Sequence, residues 1–429
     1  MKIALIQPPS GTPALKVPPL GLGYITAVLK RSHIEAKVID LNVENISLST
    51  YLSREKPEVV GVSSIVTNAR QALEIARKTK NILPKSFVVL GGPYLSMMGD
   101  RLVTRHKEVD ATLRGEAEFT FPELIKRLRN GESLDDVEGL IFREDDEIKS
   151  NSPSNPIDPL DQIPYPAREE LKMELYGENA GSIFTSRGCP YQCIFCSRPV
   201  FGRKWRGHSP DYVLGEIQHL REYYGISNLS VLDDNFTVDS DRAERILDGI
   251  IAKKWKLNLY FWNGIRVDHM TRNLLLKMRK TGCTAINYGV ESVDPEVISF
   301  IRKGVSLDQV EKTIRLTREI GIRANIFLML GNPGDTAKVA DKIMAFVGKV
   351  QVDGVHLSMA TPLLGTKFWD WVEKNGCWLD YDREELLDWP IDDVDESYPV
   401  FETPDFTTYE RIKAYRKTRN LLKEKGLLI

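Results

Sequence analysis

The sequence predicts an α/β protein: a flavodoxin-like or Rossmann-like parallel layer, then a six-stranded partial (β/α)6 barrel, then a mostly helical C-terminal extension. Short β-branched runs alternate with amphipathic segments from residue 2 to about 150, the pattern of a parallel sheet wrapped by helices. A second series of strand and helix repeats fills the middle of the chain. Between the two series lie three of the five cysteines, Cys189, Cys193 and Cys196. The length of 429 residues suits about three units of ~150 residues, divided as 1–145, a linker 146–174, 175–364 and 365–429.

Composition narrows the function. With 42% hydrophobic and 28% charged residues the chain is not disordered. Lys+Arg at 58 against Asp+Glu at 60, a net charge of −2, lacks the basic excess of a general nucleic-acid binder. No apolar run approaches the ~18 residues of a membrane span, and the opening residues are too soon broken by Pro8 and Pro9 for a secretory signal. A cytoplasmic protein is expected.

In the first unit, strands are expected at Lys2–Ile6, Ala36–Ile39, Val59–Ser63, Phe87–Leu90 and Ala111–Leu113. Ligands of such sheets bind beyond the carboxyl ends of the strands. The candidates are therefore Gln7 and Pro9 after the first strand, Leu20 and Gly21 at the first helix, and Ser63, Ser64, Ile65 and Val66 after the third. Gly91, Gly92, Pro93 and Tyr94 follow the fourth strand, and Arg114, Gly115 and Glu116 the fifth. Taken singly, the glycines and prolines read as turn punctuation. Together, Pro-Pro-Leu-Gly-Leu, Val-Gly-Val-Ser-Ser, Leu-Gly-Gly-Pro-Tyr and Arg-Gly-Glu-Ala-Glu-Phe resemble the cobalamin-binding domain of cobalamin-dependent radical S-adenosylmethionine (SAM) enzymes, over residues 1–145.

The loop after the first strand carries no histidine. His33 and His106 precede the second and fifth strands, which places them at the opposite edge of the sheet. The resemblance then implies a cobalamin with no protein histidine on cobalt, its lower face covered by Ile65 or Val66. Between Glu147 and Arg168 the prolines at 153, 156, 159, 164 and 166 predict a stiff extended connector.

The run from Thr185 to Ser197 holds a CxxxCxxC spacing after a short strand at Gly181–Thr185. Three thiolates so close can hold three irons of a 4Fe–4S cluster and leave the fourth iron without a protein ligand. A zinc site lacking its fourth ligand, or three packed thiols, are the alternatives. Cys283 and Cys377 are too remote in sequence to be assigned to this group. The spacing, with Phe195 before the last cysteine, resembles the radical SAM signature. That resemblance implies that the open iron takes the amino and carboxylate groups of SAM, with the Phe195 backbone near adenine.

Further strands are expected at Leu229–Leu232, Leu257–Trp262, Ala285–Tyr288, Arg323–Met329 and Gly354–Ser358. A partial barrel places its chemistry at strand C-termini. By resemblance, Asp233, Asp234 and Asn235 stand where the superfamily reads the SAM amino group, although its usual Gly-Gly-Glu is absent, and Glu291 and Ser292 lie near the ribose or methionyl part. Arg266 offers a carboxylate contact to SAM or substrate, or else a structural ion pair. Gly331, Pro333 and Gly334 shape a turn near adenine. Arg203-Lys204-Trp205-Arg206 reads as a solvated face. Trp369, Trp371, Trp378 and Trp389 are expected to enclose substrate. A helix is expected from Thr407 to Gly426, with Tyr409, Ile412 and Tyr415 on one side.

The family resemblance implies a C-methyltransferase. One SAM methylates cobalamin, a second yields a 5'-deoxyadenosyl radical that removes a substrate hydrogen, and the methyl group passes to the carbon radical. The substrate is a protein side chain, such as a glutamine of methyl-coenzyme M reductase, or a small molecule; the electron donor is a flavodoxin or ferredoxin. An anaerobic cyclase or oxidative enzyme acting on a small molecule or tetrapyrrole is the alternative within the family, and a noncatalytic cobalamin or redox sensor the alternative outside it.

Overall fold

The computed structural model describes residues 1–10, 16–145, 147–379, 383 and 398–429. These fall into two units, each with its own sheet system. Among the described residues, unit 1 comprises those of Met1–Ser182 and Arg198–Arg206 together with Arg383, and unit 2 comprises Ile183–Ser197, 207–379 and 398–429.

Unit 1 is built on strands β1 (Ile3–Gln7), β2 (Ala36–Asp40), β3 (Val59–Ser63), β4 (Phe87–Gly91), β5 (Ala111–Leu113), β6 (Leu140–Glu144) and β7 (Glu147–Ser150), in the order β2-β1-β3-β4-β5-β6-β7. The first five are parallel. Burial on both faces of the central strands β1, β3 and β4 explains their largely apolar sequences. Helices α1 (Leu20–Arg31), α2 (Leu48–Glu55), α3 (Ala69–Ile82), α4 (Pro93–Met98), α5 (Arg101–Arg105) and α6 (Thr120–Asn130) connect them. The order reverses between β1 and β3, the place where such sheets open a crevice for ligands.

One boundary needs correcting. β6 and β7 form an antiparallel hairpin that extends the sheet, so the sequence-based limit at 145 cuts a hairpin and the layer runs on to Ser150. The connector beyond is tied to the layer at several points. The Tyr176 hydroxyl donates to Asp40 at 2.9 Å, and Lys30 pairs with both Glu169 and Glu170 at 2.8 Å. Burial pushes the Asp40 carboxyl up to about 6.

In unit 2, β8 (Ser182–Ile183), β11 (Asn228–Val231) and β12 (Asn258–Phe261) form one three-stranded sheet, and β13 (Ala285–Glu291), β14 (Arg323–Leu330) and β15 (Gly354–Met359) another. A parallel bridge from Ile265 to Tyr288 joins them, which gives six strands in chain order, as expected of a partial barrel. Short strands β9 (Ser186–Arg187) and β10 (Arg206–Gly207) flank the cysteine loop in sequence. Outside the strands run α7 (Pro210–Tyr224), α8 (Ser240–Ala252), α9 (Arg272–Lys280), α10 (Pro295–Phe300), α11 (Leu307–Glu319) and α12 (Val339–Val350).

The C-terminal region holds α13 (Lys367–Asn375), β16 (Cys377–Trp378), β17 (Phe401–Glu402) and α14 (Thr408–Glu424). A Thr407–Glu410 capping box starts α14, a feature worth about 1 kcal/mol. Its buried face is Arg411, Ala414, Tyr415, Thr418 and Leu422; Tyr409, expected on that face, is 72% exposed. The tail after α14 covers the open edge of β15, where Val355 N–H donates to Leu427 at 2.7 Å and Ile429 N–H to Val355 at 3.2 Å. Among the described residues no helix is long and apolar enough to cross a membrane.

Candidate functional site

At the carboxyl edge of the layer, the loops after β3 and β4 are stitched together. Ser64 N–H donates to Gly91 O at 2.9 Å, and Tyr94 N–H to Ser64 O at 3.1 Å. This approach requires glycine at 92. Its φ is +93°, and a Cβ there would lie 2.6 Å from Ser64 O and 2.9 Å from Ser64 N. Asn68 fixes the β3 loop, its Oδ1 accepting from Ile65 N–H at 2.9 Å and from Ser64 Oγ at 3.1 Å. The loop thereby presents Ile65, an isoleucine left 39% exposed.

The other predicted residues of this edge divide by burial. Gly21 faces open space, since a Cβ there meets nothing within 4 Å. Gln7, Pro9, Ser63, Val66, Gly91, Pro93 and Gly115 remain at least partly accessible, whereas Leu20 and Tyr94 turn into the core. Arg114 reaches the connector and donates to Asn151 O at 2.9 Å. Glu116 departs from expectation: it is buried, and its Oε2 accepts from Arg206 at 2.7 Å and from Ile157 N–H at 2.8 Å. An ion pair this deep serves the frame, so its carboxylate is no ligand contact. The same bond withdraws Arg206 from the solvated face expected of 203–206. His33 follows α1 with φ +55°, and buried His106 closes α5 beside Arg77 and Glu108. Both histidines lie away from the ligand edge.

These surroundings fit a corrinoid. The edge is glycine-lined, with an exposed isoleucine and few charges, and the Asn68 amide nitrogen is buried without a hydrogen-bond partner among the described residues.

In unit 2 the cysteine loop leaves β9 and is clamped at several points. Gly188, at φ +81°, donates its N–H to Asp234 at 3.0 Å. Ile194 N–H donates to Ile301 O at 3.0 Å, and Ile194 O accepts from Phe368 N–H at 3.0 Å. Beneath the loop, Ile194 joins a cluster with Val297, Ile301, Phe368, Val372 and Phe401, and Phe195, Trp371 and Trp378 pack against it. Trp371 and Trp378 thus support this loop, and Trp369 packs on Trp378 at 4.5 Å between ring centroids; Trp389 lies outside the described residues.

Cys193 is buried, Cys189 and Cys196 are partly exposed, and all three are free thiols. Among the described residues no three His, Cys, Asp or Glu side chains are gathered as a single-ion site. The three free thiols on a clamped loop fit a 4Fe–4S cluster.

The strand ends hold the remaining candidates. Asp233 is fully turned to the frame: it accepts from Thr185 N–H at 2.6 Å, Thr185 Oγ1 at 2.5 Å and Ser186 Oγ at 2.6 Å. Burial raises its pKa, against the nearby Arg242 charge. The expected contact of Asp233 with the SAM amino group is therefore corrected to a clamp on the strand before the cysteines. Exposed Asp234 keeps carboxylate surface beyond its bond to Gly188. Asn235 and Asn332 are 2% and 1% exposed, and the Asn235 Nδ2 and Asn332 Oδ1 atoms lack partners among the described residues. A buried donor and a buried acceptor left unpaired at strand ends suit a polar zwitterionic ligand such as SAM.

Glu291 ends β13 at φ +70°, after a bulge between Gly289 and Glu291. Non-glycine residues at such angles are strained and cluster at functional sites. Its Oε1 accepts from buried Lys303 at 2.9 Å, and Ser292 Oγ accepts from Asp294 N–H. Lys303 Nζ lies 5.9 Å from the Phe195 ring centroid. Arg266 is already engaged, its Nε and NH2 donating to Asp268 at 3.0 and 2.8 Å. That bidentate edge is filled, so the carboxylate expected at Arg266 is a neighbour's. Asp335, on the Gly331–Gly334 turn, accepts from Gly331 and Asn332 N–H at 2.9 Å each, and burial pushes it up to about 7. Buried Arg411 of α14 donates to Gly331 O at 3.0 Å. Asn332 and Asp335 belong to the polar strand-end run Leu330–Asp335 legible in the sequence, whereas Lys303 and Arg411 were not singled out, since only their partners in space reveal them.

A corrinoid-type layer followed by a partial barrel with a clamped CxxxCxxC loop defines a cobalamin-dependent radical SAM enzyme. The comparisons agree: residues 183–347 match the Radical SAM superfamily and residues 9–125 the B12 binding domain. An uncharacterized methyltransferase of Pyrococcus horikoshii is 31% identical over 97% of this chain and 91% of its own. The cytidylyl-2-hydroxyethylphosphonate methyltransferase of Streptomyces wedmorensis is 26% identical over 81% of this chain and 76% of its own. The fold is shared with the radical SAM methyltransferase TsrM of Kitasatospora setae, solved with tryptophan substrate and a SAM analogue (TM-score 0.75, 20% identity, covering 89% of this chain and 79% of that one). The chain belongs to the cobalamin-dependent radical SAM methyltransferase family, and its cofactors are cobalamin, SAM and a 4Fe–4S cluster.

Proposed function

We propose that the protein is a C-methyltransferase acting on an unactivated carbon, with Cys189, Cys193 and Cys196 as the cluster ligands. When bound, the cofactors supply one-electron cleavage of SAM at the cluster and a methyl group carried on cobalt. The chain's own residues position and exclude. Asp234, Ile301 and Phe368 fix the cysteine loop. Asn235, Glu291 and Asn332 would offer polar atoms to SAM at the strand ends, and the Phe195 backbone would meet its adenine. In the layer, Gly92 brings the β3 and β4 backbones together and Asn68 holds Ile65 out. These loops would hold the corrin, with Ile65 or Val66 covering its lower face and further contacts offered by Gln7, Gly21, Ser63, Gly91 and Gly115.

The observation that supports this reading most directly is the single chain that joins a neutral, glycine-lined ligand edge to a clamped CxxxCxxC loop with polar groups left unpaired at the strand ends. As substrate we propose a protein side chain, with a glutamine of methyl-coenzyme M reductase as one candidate, and a flavodoxin or ferredoxin as electron donor in the cytoplasm. Anaerobic turnover with methyl-labelled SAM should give 5'-deoxyadenosine, S-adenosylhomocysteine and labelled product together. Deoxyadenosine with no S-adenosylhomocysteine and no methylated product would point to cyclisation or oxidation and end the methylation reading. Mass spectrometry of proteins from a deletion strain tests the substrate: a side chain that loses its methyl group supports it, and an unchanged proteome excludes a protein substrate.

A further inference from the structure

Tyr191 stands between Cys189 and Cys193, and the guanidinium of Arg266 lies over its ring, 3.6 Å from the centroid. Arg266 is 6% exposed and held flat by the bidentate bond to Asp268, while the Tyr191 hydroxyl shares a hydrogen bond with His269. The arrangement places a planar cation in stacking contact with the middle of the cysteine loop. Burial works against the Arg266 charge, but Asp268, and more weakly Tyr191 and Cys193, outweigh it and raise its pKa. The charge is permanent in any case.

We propose that Arg266, stacked on Tyr191 and tethered by Asp268, sets the reduction potential of the cluster held by Cys189, Cys193 and Cys196. The inference rests on those cysteines being the cluster ligands. Reduction brings one electron, from a low-potential one-electron donor, and so adds one negative charge to the site. A fixed cation beside the loop stabilises that added charge, and a fixed anion opposes it. Arg266 and Asp268 therefore act with opposite signs, Asp268 offsetting part of what Arg266 contributes while keeping it in place.

The test uses the full chain with its cluster chemically reconstituted, and reads the reduced fraction by electron paramagnetic resonance at potentials poised with dithionite and mediators. Arg266→Gln should lower the ratio of reduced to oxidised cluster about tenfold at the wild-type midpoint, equivalent to about 59 mV for a one-electron couple. Asp268→Asn should raise that ratio by about threefold or more, and Arg266→Lys, which keeps the charge, should stay within about threefold of wild type. Opposite shifts cannot come from a loosened loop, which would move both variants the same way. Shifts of one sign, a lysine variant that behaves like the glutamine one, or no shift in variants carrying wild-type iron and sulfide would each overturn the proposal. A wild-type protein that takes up no cluster would overturn the cysteine assignment itself.

Discussion

Where the strands of the layer end, the chain presents glycines, serines and a bare isoleucine; where the strands of the barrel end, it presents the pairs Glu291–Lys303 and Arg266–Asp268. The materials follow from the ligands of the family. A corrin is broad and flat, and backbone must come close to it, which glycine permits and side-chain charge would hinder. A cluster and a zwitterionic SAM carry concentrated charge, and a buried charge is tolerable only beside its opposite. Substitutions should therefore fail differently in the two units.

The largest effect is all-or-none. Cys193→Ala should abolish cluster uptake, read as loss of the iron–sulfur absorbance and of bound iron, while corrinoid binding to the layer persists. Loss of both together would break the separation of the two edges. Next is Lys303→Met, which leaves Glu291 buried and unpaired. Removing one partner of a buried pair costs about 3–5 kcal/mol, so the melting temperature should drop by several degrees. Ile65→Ala, at an exposed position, should stay within about 0.5 kcal/mol of wild type. Equal losses would show that the barrel pair is not desolvated as its geometry indicates.

Asp335 gives a pH-dependent version of the same contrast. Its carboxyl is raised by burial from 3.8 to about 7, so the folded protein keeps a proton that the unfolded chain releases between those values. The stability it contributes is full below about pH 4 and is lost as pH rises towards 7, by up to about 4 kcal/mol at 1.36 kcal/mol per unit. Asp335→Asn mimics the protonated form and should gain on wild type between pH 4 and pH 8 in urea unfolding. A difference that does not vary with pH would show that Asp335 ionises freely in the fold.

How much of this was legible in the sequence depends on the range of each interaction. β3 was placed to the residue, because a parallel strand buried on both faces reads as a continuous β-branched run, and the short β5 because the Arg114-Gly115 turn marks its end. The β6–β7 hairpin was missed because its exposed edge, with Arg143, Glu144, Glu147 and Lys149, has the composition of a connector. The cysteine triad was legible since its ligands are local. The partners of Asp233, Glu116 and Arg206 were not: Thr185 lies 48 residues from Asp233, and Glu116 lies 90 from Arg206. No periodicity connects positions so far apart. The positive φ of Glu291 was hidden too, since glutamate carries no compositional mark of a left-handed backbone.

Among the smaller effects, Gly92→Ala pushes a Cβ against the Ser64 backbone at a left-handed φ, which should cost about 1–3 kcal/mol and weaken corrinoid retention, read by equilibrium dialysis, with cluster content unchanged. Smaller again than Gly92→Ala is Asn68→Ala, which probes the layer most finely. Losing Oδ1 leaves the Ile65 N–H without its acceptor, while the Ser64 hydroxyl keeps its bond to Ile65 O at 3.1 Å, a loss of about 1 kcal/mol where the loop is partly exposed and water can replace the amide. The fold should survive, but the loop would no longer hold Ile65 in one place. If Ile65 covers the lower face of the corrin, cob(II)alamin in the wild-type protein should show an electron paramagnetic resonance spectrum without axial nitrogen splitting, and Asn68→Ala should add the signature of a water ligand. Ile65→His should introduce nitrogen splitting. Nitrogen splitting in the wild type would mean that a side chain of the protein already reaches cobalt, and a spectrum indifferent to both substitutions would place the lower face against some other part of the layer.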